Sequence, residues 1–411
     1  MEDSMKTIGE SLDNFQAALN QSGSSLGEFI RKNYADKWLS DEILHAMAVR
    51  TTLVQEATEF LREEGLFNIE RVMLSILTDP LAHDIEHTPA VPYKGQTYVT
   101  THSMIYSKFL ACSNKKIKGI YVDSPNIRLE LPSPDNLQRG KYLADFSQID
   151  IELRRNRGVT MEDYLNNPKK VQAVLTEDMD TILNFFERLI VRAVSAVVKN
   201  NAADLTALGV AMEVPAIPFP RFPKDKAQAK YGAREFEEKC GEETKSQFYW
   251  ITGLFRENYD LVYPYLLPGG KKIDLRNVGS DSIYNYDLVA KSIDAGSGKQ
   301  TAGREILSGA LREWLFEPIV ERILDNRVLP VRPVIRNGNI ENIAELGGYG
   351  PFLYYASMKD AQGHPFFPDT MGGGIGLERA LYALLRGTRI KKVDDITFFG
   401  KNPDSHPLYL F

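Results

Sequence analysis

Apolar residues recur along this chain with two different periods, and the switch between them marks its elements. Behind Ser40, Asp41 and Glu42, the positions Leu44, Met47, Val54, Ala57 and Leu61 keep helical spacing as far as Gly65, with Ser40 as N-cap and both acids in the first turn. Residues 1–40 start polar, and Ser22-Gly23-Ser24-Ser25 predicts a break between short helices, so 1–45 reads as a helical extension ahead of a main domain over 46–411. Residues 97–101 and 118–123 read as strands. Alternation is cleanest at 126–131 and 146–153. Ile127, Leu129 and Leu131 share one face against Arg128 and Glu130, while Ile149, Ile151 and Leu153 oppose Gln148, Asp150 and Glu152. The Pro-, Asn- and Gly-rich stretch from Pro132 to Ala144 fits a long hairpin loop between them. Two adjacent antiparallel strands then set a charged face over an apolar one, the layout of a site or of a solvated sheet.

Further along, Thr176 before Glu177 and Asp178 predicts a helix start, with Ile182, Phe186, Leu189, Ala193 and Val197 on one stripe. Pro215, Pro218, Pro220 and Pro223 mark a change of composition, and about 224–285 reads as a variable insert with a strand candidate at Phe248–Ile251. Strand-like Tyr286–Val289 leads into Asp294-Ala295-Gly296-Ser297-Gly298, and a long helix is expected from about Arg304 to Leu324.

Near the end stands Gly372-Gly373-Gly374-Ile375-Gly376-Leu377-Glu378-Arg379, followed by an amphipathic run that Gly387 stops. Glycine lets a backbone come close to a ligand, and free N–H groups at a helix start favour an anion. Arg379, about one turn into that helix, adds a planar cation suited to phosphate. A tight turn feeding a core helix is the competing reading. Neither glycine-rich stretch is a known nucleotide loop: Lys299 precedes Gln300 instead of Ser or Thr, and 372–376 lacks the dinucleotide spacing.

Composition narrows the field. A chain of 411 residues, 43% hydrophobic and 25% charged, is ordinary for a globular protein, and a formal charge of −6 argues against a surface built mainly for nucleic acid. Two cysteines, Cys112 and Cys240, make neither a disulfide framework nor a zinc pattern. No membrane span or signal-peptide layout is expected, so the cytoplasm is the default location.

The residues around the two alternating strands resemble a known family. Arg128-Leu129-Glu130, the hairpin loop, and Asp145 to Glu152 look like motif 2 of class II aminoacyl-tRNA synthetases of the aspartyl/asparaginyl branch, and 372–379 looks like their motif 3. Met73–Leu81, Thr101-His102-Ser103-Met104-Ile105 and Ser124–Glu130 are similar to archaeal asparagine synthetase-related enzymes, paralogues of asparaginyl-tRNA synthetase. The resemblance runs from about 45 to 400 and implies an α+β fold with an antiparallel sheet flanked by helices. It implies ATP as cosubstrate: Arg128 at the α-phosphate, Glu130 at the adenine amino group, Phe146 stacked on adenine, Gly374 and Gly376 as floor, Arg379 at the γ-phosphate. Mg2+ would be held by Asp287 and Asp294. At the amino-acid end it implies Lys108 and Arg304 on a side-chain carboxylate and Asp150 and Glu152 on the ammonium, with Ser103 and Gln148 alongside. Such a cation pair favours aspartate over asparagine.

Departures from the family pattern are specific. Arg71 stands for the proline of motif 1, Lys141-Tyr142 for an Arg-His pair, and 294–304 is lengthened. Residues 1–45 are too few for the OB-type anticodon barrel that precedes the family's catalytic domain. Transfer RNA is therefore not expected as a partner. The expected reaction is ATP-dependent activation of aspartate as an adenylate, then amidation by ammonia to asparagine, in a homodimer. The alternatives are an amide ligase using another small amine, an aspartyl- or asparaginyl-tRNA ligase, and a non-catalytic paralogue that senses an amino acid or nucleotide.

Overall fold

The computed structural model describes residues 25–76, 89–128, 143–155, 158–233, 235–254, 260–265, 271–273, 278–325 and 329–400, with isolated positions before residue 25. Its centre is an eight-stranded sheet. In chain order the strands are β1 (Phe67–Asn68), β2 (Gly119–Ile127), β3 (Asp145–Arg154), β4 (Arg221–Pro223), β5 (Phe248–Thr252), β6 (Asn285–Ala290), β7 (Arg304–Leu311) and β8 (Thr370–Gly376). They lie in the order β1-β2-β3-β8-β7-β6-β5-β4. The six central strands are antiparallel to their neighbours, while β1 on β2 and β4 on β5 are parallel, so the sheet is mixed at its rims. β2 and β3 form the expected hairpin, in register from Gly119 opposite Leu153 to Ile127 opposite Asp145.

Five helices frame the sheet: α1 (Asp41–Glu63), α2 (Ile105–Ala111), α3 (Pro168–Asn200), α4 (Phe316–Asp325) and α5 (Leu377–Leu385). Ser40 caps α1 as its sequence predicts, its hydroxyl accepting the Ile43 N–H at 3.4 Å. The helix runs through the 45/46 boundary, and Leu44 stays exposed. Helix α3 starts eight residues before Thr176, because Pro168 in the first turn lacks only an N–H that no helical carbonyl would accept. Thr176 lies mid-helix, bonded back to the Gln172 carbonyl at 2.9 Å. The apolar face of the sheet rests on α3. Ile149, Ile151 and Leu153 join its stripe in one core, Tyr286 meets Phe186 at 6.0 Å, and Trp250 donates to Glu187 at 2.9 Å.

The expected helix over 304–324 is instead strand β7 followed by the shorter α4. Ile306, Leu307, Ala310 and Leu311 are all buried, since β7 is covered on both faces. A continuous apolar run of this kind has no alternation by which to tell it from a helix. Gly309 decides the matter sterically: a Cβ there would lie 2.5 Å from both the Gly372 carbonyl and the Tyr286 ring.

The described residues of 224–285 do not stand apart from the sheet. Helical segments Lys224–Tyr231 and Phe236–Glu243 build a small core on Tyr249, Ile251 and Val289, and Phe248–Thr252 is itself β5. Trp38, just before α1, meets the other end of the chain, donating to the Phe398 carbonyl at 2.8 Å and packing on Phe399. Among the described residues no helix is long and apolar enough to cross a membrane.

Candidate active site

The site lies on the polar face of the sheet, over β3, β8, β7 and β6. Alternation along β3 puts Phe146, Gln148, Asp150 and Glu152 on this face, as expected from the sequence. Across from them on β8 stand Gly376, Gly374 and Gly372, paired with Gln148, Asp150 and Glu152 in turn. This glycine run is a central strand and not the start of a helix; α5 begins only at Leu377. Its glycines have a steric cause. A Cβ on Gly372 would lie 2.6 Å from Glu152 Oε2, and one on Gly374 2.7 Å from Asp150 Oδ1. The carboxylates lean across the strand into the space the missing side chains leave.

Five buried charged groups make a continuous network there. Lys108, carried on α2, sets its Nζ 2.9 Å from Asp150 Oδ1 and 3.8 Å from Glu152 Oε2. Arg312, just past β7, sets Nε 3.2 Å from Glu152 Oε1 and Nη1 3.3 Å from Asp260 Oδ1, and its Nη2 donates to the Gly372 carbonyl at 3.1 Å. Asn285 completes the set, donating to Asp260 Oδ2 at 2.9 Å. Each of the five charged side chains is at most 4% exposed. Three carboxylates face two cations, so the group carries one net negative charge when all are ionised. Asp150 Oδ2 is buried without a hydrogen-bond partner. A buried charge without its complement costs several kcal/mol.

The family resemblance implies Arg304 at this end of the site. The structure sets Arg304 at the start of β7, where its Nη1 donates to the Gly303 carbonyl at 2.9 Å, and gives the place beside Glu152 to Arg312. Reading 304–324 as a helix hid this arginine. The signal that locates it is Ser308-Gly309-Ala310, a run of small residues suited to a central strand, with an arginine just beyond. Asp260 was missed for another reason: it belongs to the part read as a variable insert, and an isolated bridge to Arg312 brings it home.

Toward the other end of the face, Arg128 follows β2, with its Nε donating to the His102 carbonyl at 3.2 Å and its guanidinium 5.2 Å from the Phe146 ring centre. Ser103, half-buried, lies in the turn that leads into α2 and Lys108. Arg379 in the first turn of α5 pairs at 2.9 Å with Glu305 of β7, a carboxylate that no sequence motif marks. Glu130 lies outside the described residues, as do Lys141 and Tyr142.

The two acids expected to hold a metal are not brought together. Asp287 lies on the site face of β6, directly across from Ser308. Asp294 lies beyond the strand end in a separate two-residue ladder with Val210. There its Oδ1 accepts the Ser297 N–H at 2.8 Å and hydroxyl at 2.9 Å, an Asx-type turn. The Ser297 backbone bond, with the hydroxyl, holds that carboxyl below its usual range. Among the described residues no three His, Cys, Asp or Glu side chains stand together as a metal site.

No family model matches the chain. It is 23% identical over 295 residues to the aspartate–tRNA(Asp) ligase of Thermococcus kodakarensis and 22% over 295 residues to that of Pyrococcus furiosus. Each match covers 70% of this chain and 58% of the relative, so the chain spans less than two thirds of the length of these relatives. Its fold is similar to asparaginyl-tRNA synthetase from Pyrococcus horikoshii complexed with asparaginyl-adenylate (TM-score 0.58, 16% identity, 89% of this chain and 70% of that one). The enzyme of the same name from Entamoeba histolytica, also with asparaginyl-adenylate, gives a TM-score of 0.59 at 14% identity, over 92% and 71% of the two chains. The aspartyl-tRNA synthetase from Entamoeba histolytica gives 0.55 at 17%, over 87% and 58%. The fold is thus the α+β class II synthetase catalytic fold.

Proposed function

We propose that this chain, a distant relative of class II aminoacyl-tRNA synthetases of the aspartyl/asparaginyl branch, is an AMP-forming ligase. It activates aspartate or a close analogue as an acyl-adenylate and passes the acyl group to ammonia or a small amine. One observation carries the reading: two buried cations and three buried carboxylates on a sheet face, with one carboxylate oxygen left open. The open Asp150 Oδ2 takes the substrate ammonium, while Lys108 and Arg312 are the two buried cations within reach of a second carboxylate. Gln148, which flanks Gly374 together with Asp150, and Ser103, just ahead of α2, would offer neutral hydrogen bonds.

ATP lies along the remainder of the face. Adenine stacks on Phe146, with Glu130 at its amino group by resemblance. The phosphates pass over Gly374 and Gly376, where no side chain rises from the strand, with Arg128 at the α-phosphate and Arg379 at the γ-phosphate. A carboxylate oxygen of the substrate attacks the α-phosphorus; the new O–P bond forms as the bond to pyrophosphate breaks. Two guanidiniums at opposite ends stabilise charge that spreads during the displacement. The amine then attacks the acyl carbon, AMP departs with the bonding pair, and the amine's proton goes to solvent.

Magnesium takes oxygen ligands and commonly pairs one or two carboxylates with substrate phosphates, so Asp287 across from Ser308 fits it. Asp294, held in its own turn, fits less well. When bound, the ion neutralises phosphate charge. A homodimer belongs to the same reading, with exposed Phe67 on the outermost strand β1, and Met73, Leu74 and Ile76 exposed shortly after it in the chain, as the surface to be covered.

The test is amino-acid-dependent exchange of pyrophosphate into ATP by the purified chain. Aspartate is expected to support it better than asparagine, and ammonia is expected to raise AMP release and yield asparagine by mass. Absence of exchange with every amino acid would remove the reading; transfer to added tRNA alone would redirect it to tRNA charging.

A further inference from the structure

Strand β8 ends at Gly376, opposite Gln148, and the chain turns at once into α5. One residue back along β3, Ser147 has passed the end of that ladder and has no β8 carbonyl to accept its N–H. Glu378 supplies the missing acceptor. Its Oε2 takes the Ser147 N–H at 2.9 Å, so a side chain from the first turn of the helix extends the sheet by one more rung. From the other side Arg50 of α1 stands 3.8 Å from Glu378 Oε1, and the Glu378 side chain is only 13% exposed.

The neighbours on either side of this rung give it meaning. Ser147 directly follows Phe146, the ring beneath the Arg128 guanidinium. Glu378 directly precedes Arg379, which pairs with Glu305. The base end and the phosphate end of the nucleotide site therefore sit on different elements, a strand and a helix, and the ladder that would hold these elements together has just run out. Resting on the reading of this face as an ATP site, we propose that Glu378 is a positioning residue. Its carboxylate fixes the spacing between Phe146 and Arg379 without touching the nucleotide.

Three substitutions in the full chain separate this from a general packing role. Glu378→Gln keeps an oxygen that accepts the Ser147 N–H, Glu378→Asp keeps the charge but is one methylene short, and Glu378→Ala removes both. Mg-ATP is titrated alone by calorimetry, and exchange kinetics are measured against ATP and against the amino acid. The expected result is ATP binding, and KM for ATP, weakened about tenfold in the Ala and Asp variants. The Gln variant should stay within about twofold of wild type, and the amino-acid KM should not move. Should the Ala variant fail to fold, the Asp variant against the Gln variant reads the same difference.

Equal ATP affinity across the series, a matching rise in the amino-acid KM, or a Gln variant as weak as the Ala variant would each overturn the proposal. The two readings fail separately. A wild-type protein that binds ATP but shows no exchange, with the same order of ATP affinities, keeps the strut and loses the ligase. Exchange that proceeds alike in all variants keeps the ligase and loses the strut.

Discussion

The two ends of the sheet face hold their cations in opposite ways. At one end Lys108 and Arg312 are sealed under protein and already share three carboxylates. At the other, Arg128 and Arg379 are half-buried, one resting on a ring and a carbonyl, the other on Glu305, whose side chain is 34% exposed. The first end is part of what keeps the molecule folded, because its charges cannot be separated without leaving one unpaired in the interior. The second can be rearranged by a ligand at little cost to the fold, as exposed pairs contribute little. On the proposed function, recognition of a small polar molecule is built into the core, and the arginines proposed for triphosphate stand at the more open end.

The sharpest way to break this contrast is Arg312→Met. It strips Asp260 of the Arg312 guanidinium, leaves Glu152 only Lys108 at 3.8 Å, and is expected to cost about 3–5 kcal/mol in denaturant unfolding, together with all exchange activity. A stable, active variant would show that the network is not integral to the core. Glu313, the next residue, sharpens the same end. Burial raises its carboxyl to about 7 from 4.5, and its Oε2 has no hydrogen-bond partner beside Tyr106, Phe109 and Phe352. Between those two values the folded chain holds a proton that the unfolded chain has released, so this group takes stability away as pH rises through the interval. Glu313→Gln should therefore gain about 3 kcal/mol at pH 8 and nothing near pH 4, read from unfolding curves at the two pH values.

At the open end, Arg379→Ala should lower kcat/KM for ATP about 100-fold. Its unfolding free energy should move by no more than about 0.5 kcal/mol. An equal loss of stability would erase the distinction between the ends. The smallest effect is expected at Arg304→Ala, with KM for aspartate within about twofold of wild type, since Arg312 and not Arg304 borders the carboxylates. A large rise there would restore the assignment first made from the sequence.

Legibility in the sequence followed the same divide between patterned and unpatterned burial. Strand β3 was readable because only one of its faces is apolar, and that pattern delivered Gln148, Asp150 and Glu152 to the site face at once. Strand β7, buried on both faces, offered no alternation, and with it Arg312 was lost and Arg304 put forward. The start of α3 was misplaced because Thr176 with two acids imitates a cap, whereas a proline eight residues earlier does the work. Lys108 was found through the string that follows Thr101, yet its pairing with Asp150 had to be seen in space, as 42 positions separate them. The glycine run stands out in the sequence as a place for close backbone approach, and its missing side chains also make room for Asp150 and Glu152. Glycine can leave room for a ligand or for a neighbour's side chain, and composition does not distinguish the two.

The strand order β3-β8-β7 has a consequence for how the molecule is made. As the chain emerges from a ribosome, β1 to β3 and β4 to β7 are both synthesised before the strand that lies between them. Each half must wait with an unpaired edge, at Gln148–Glu152 on one side and Leu307–Leu311 on the other, until residues 370–376 are free of the exit tunnel. Nascent chains halted short of that point carry Lys108, Asp150 and Arg312 but not the strand that sets them side by side. Assembly of this buried charge network is thus a late event of synthesis, and until then both sheet edges stay open.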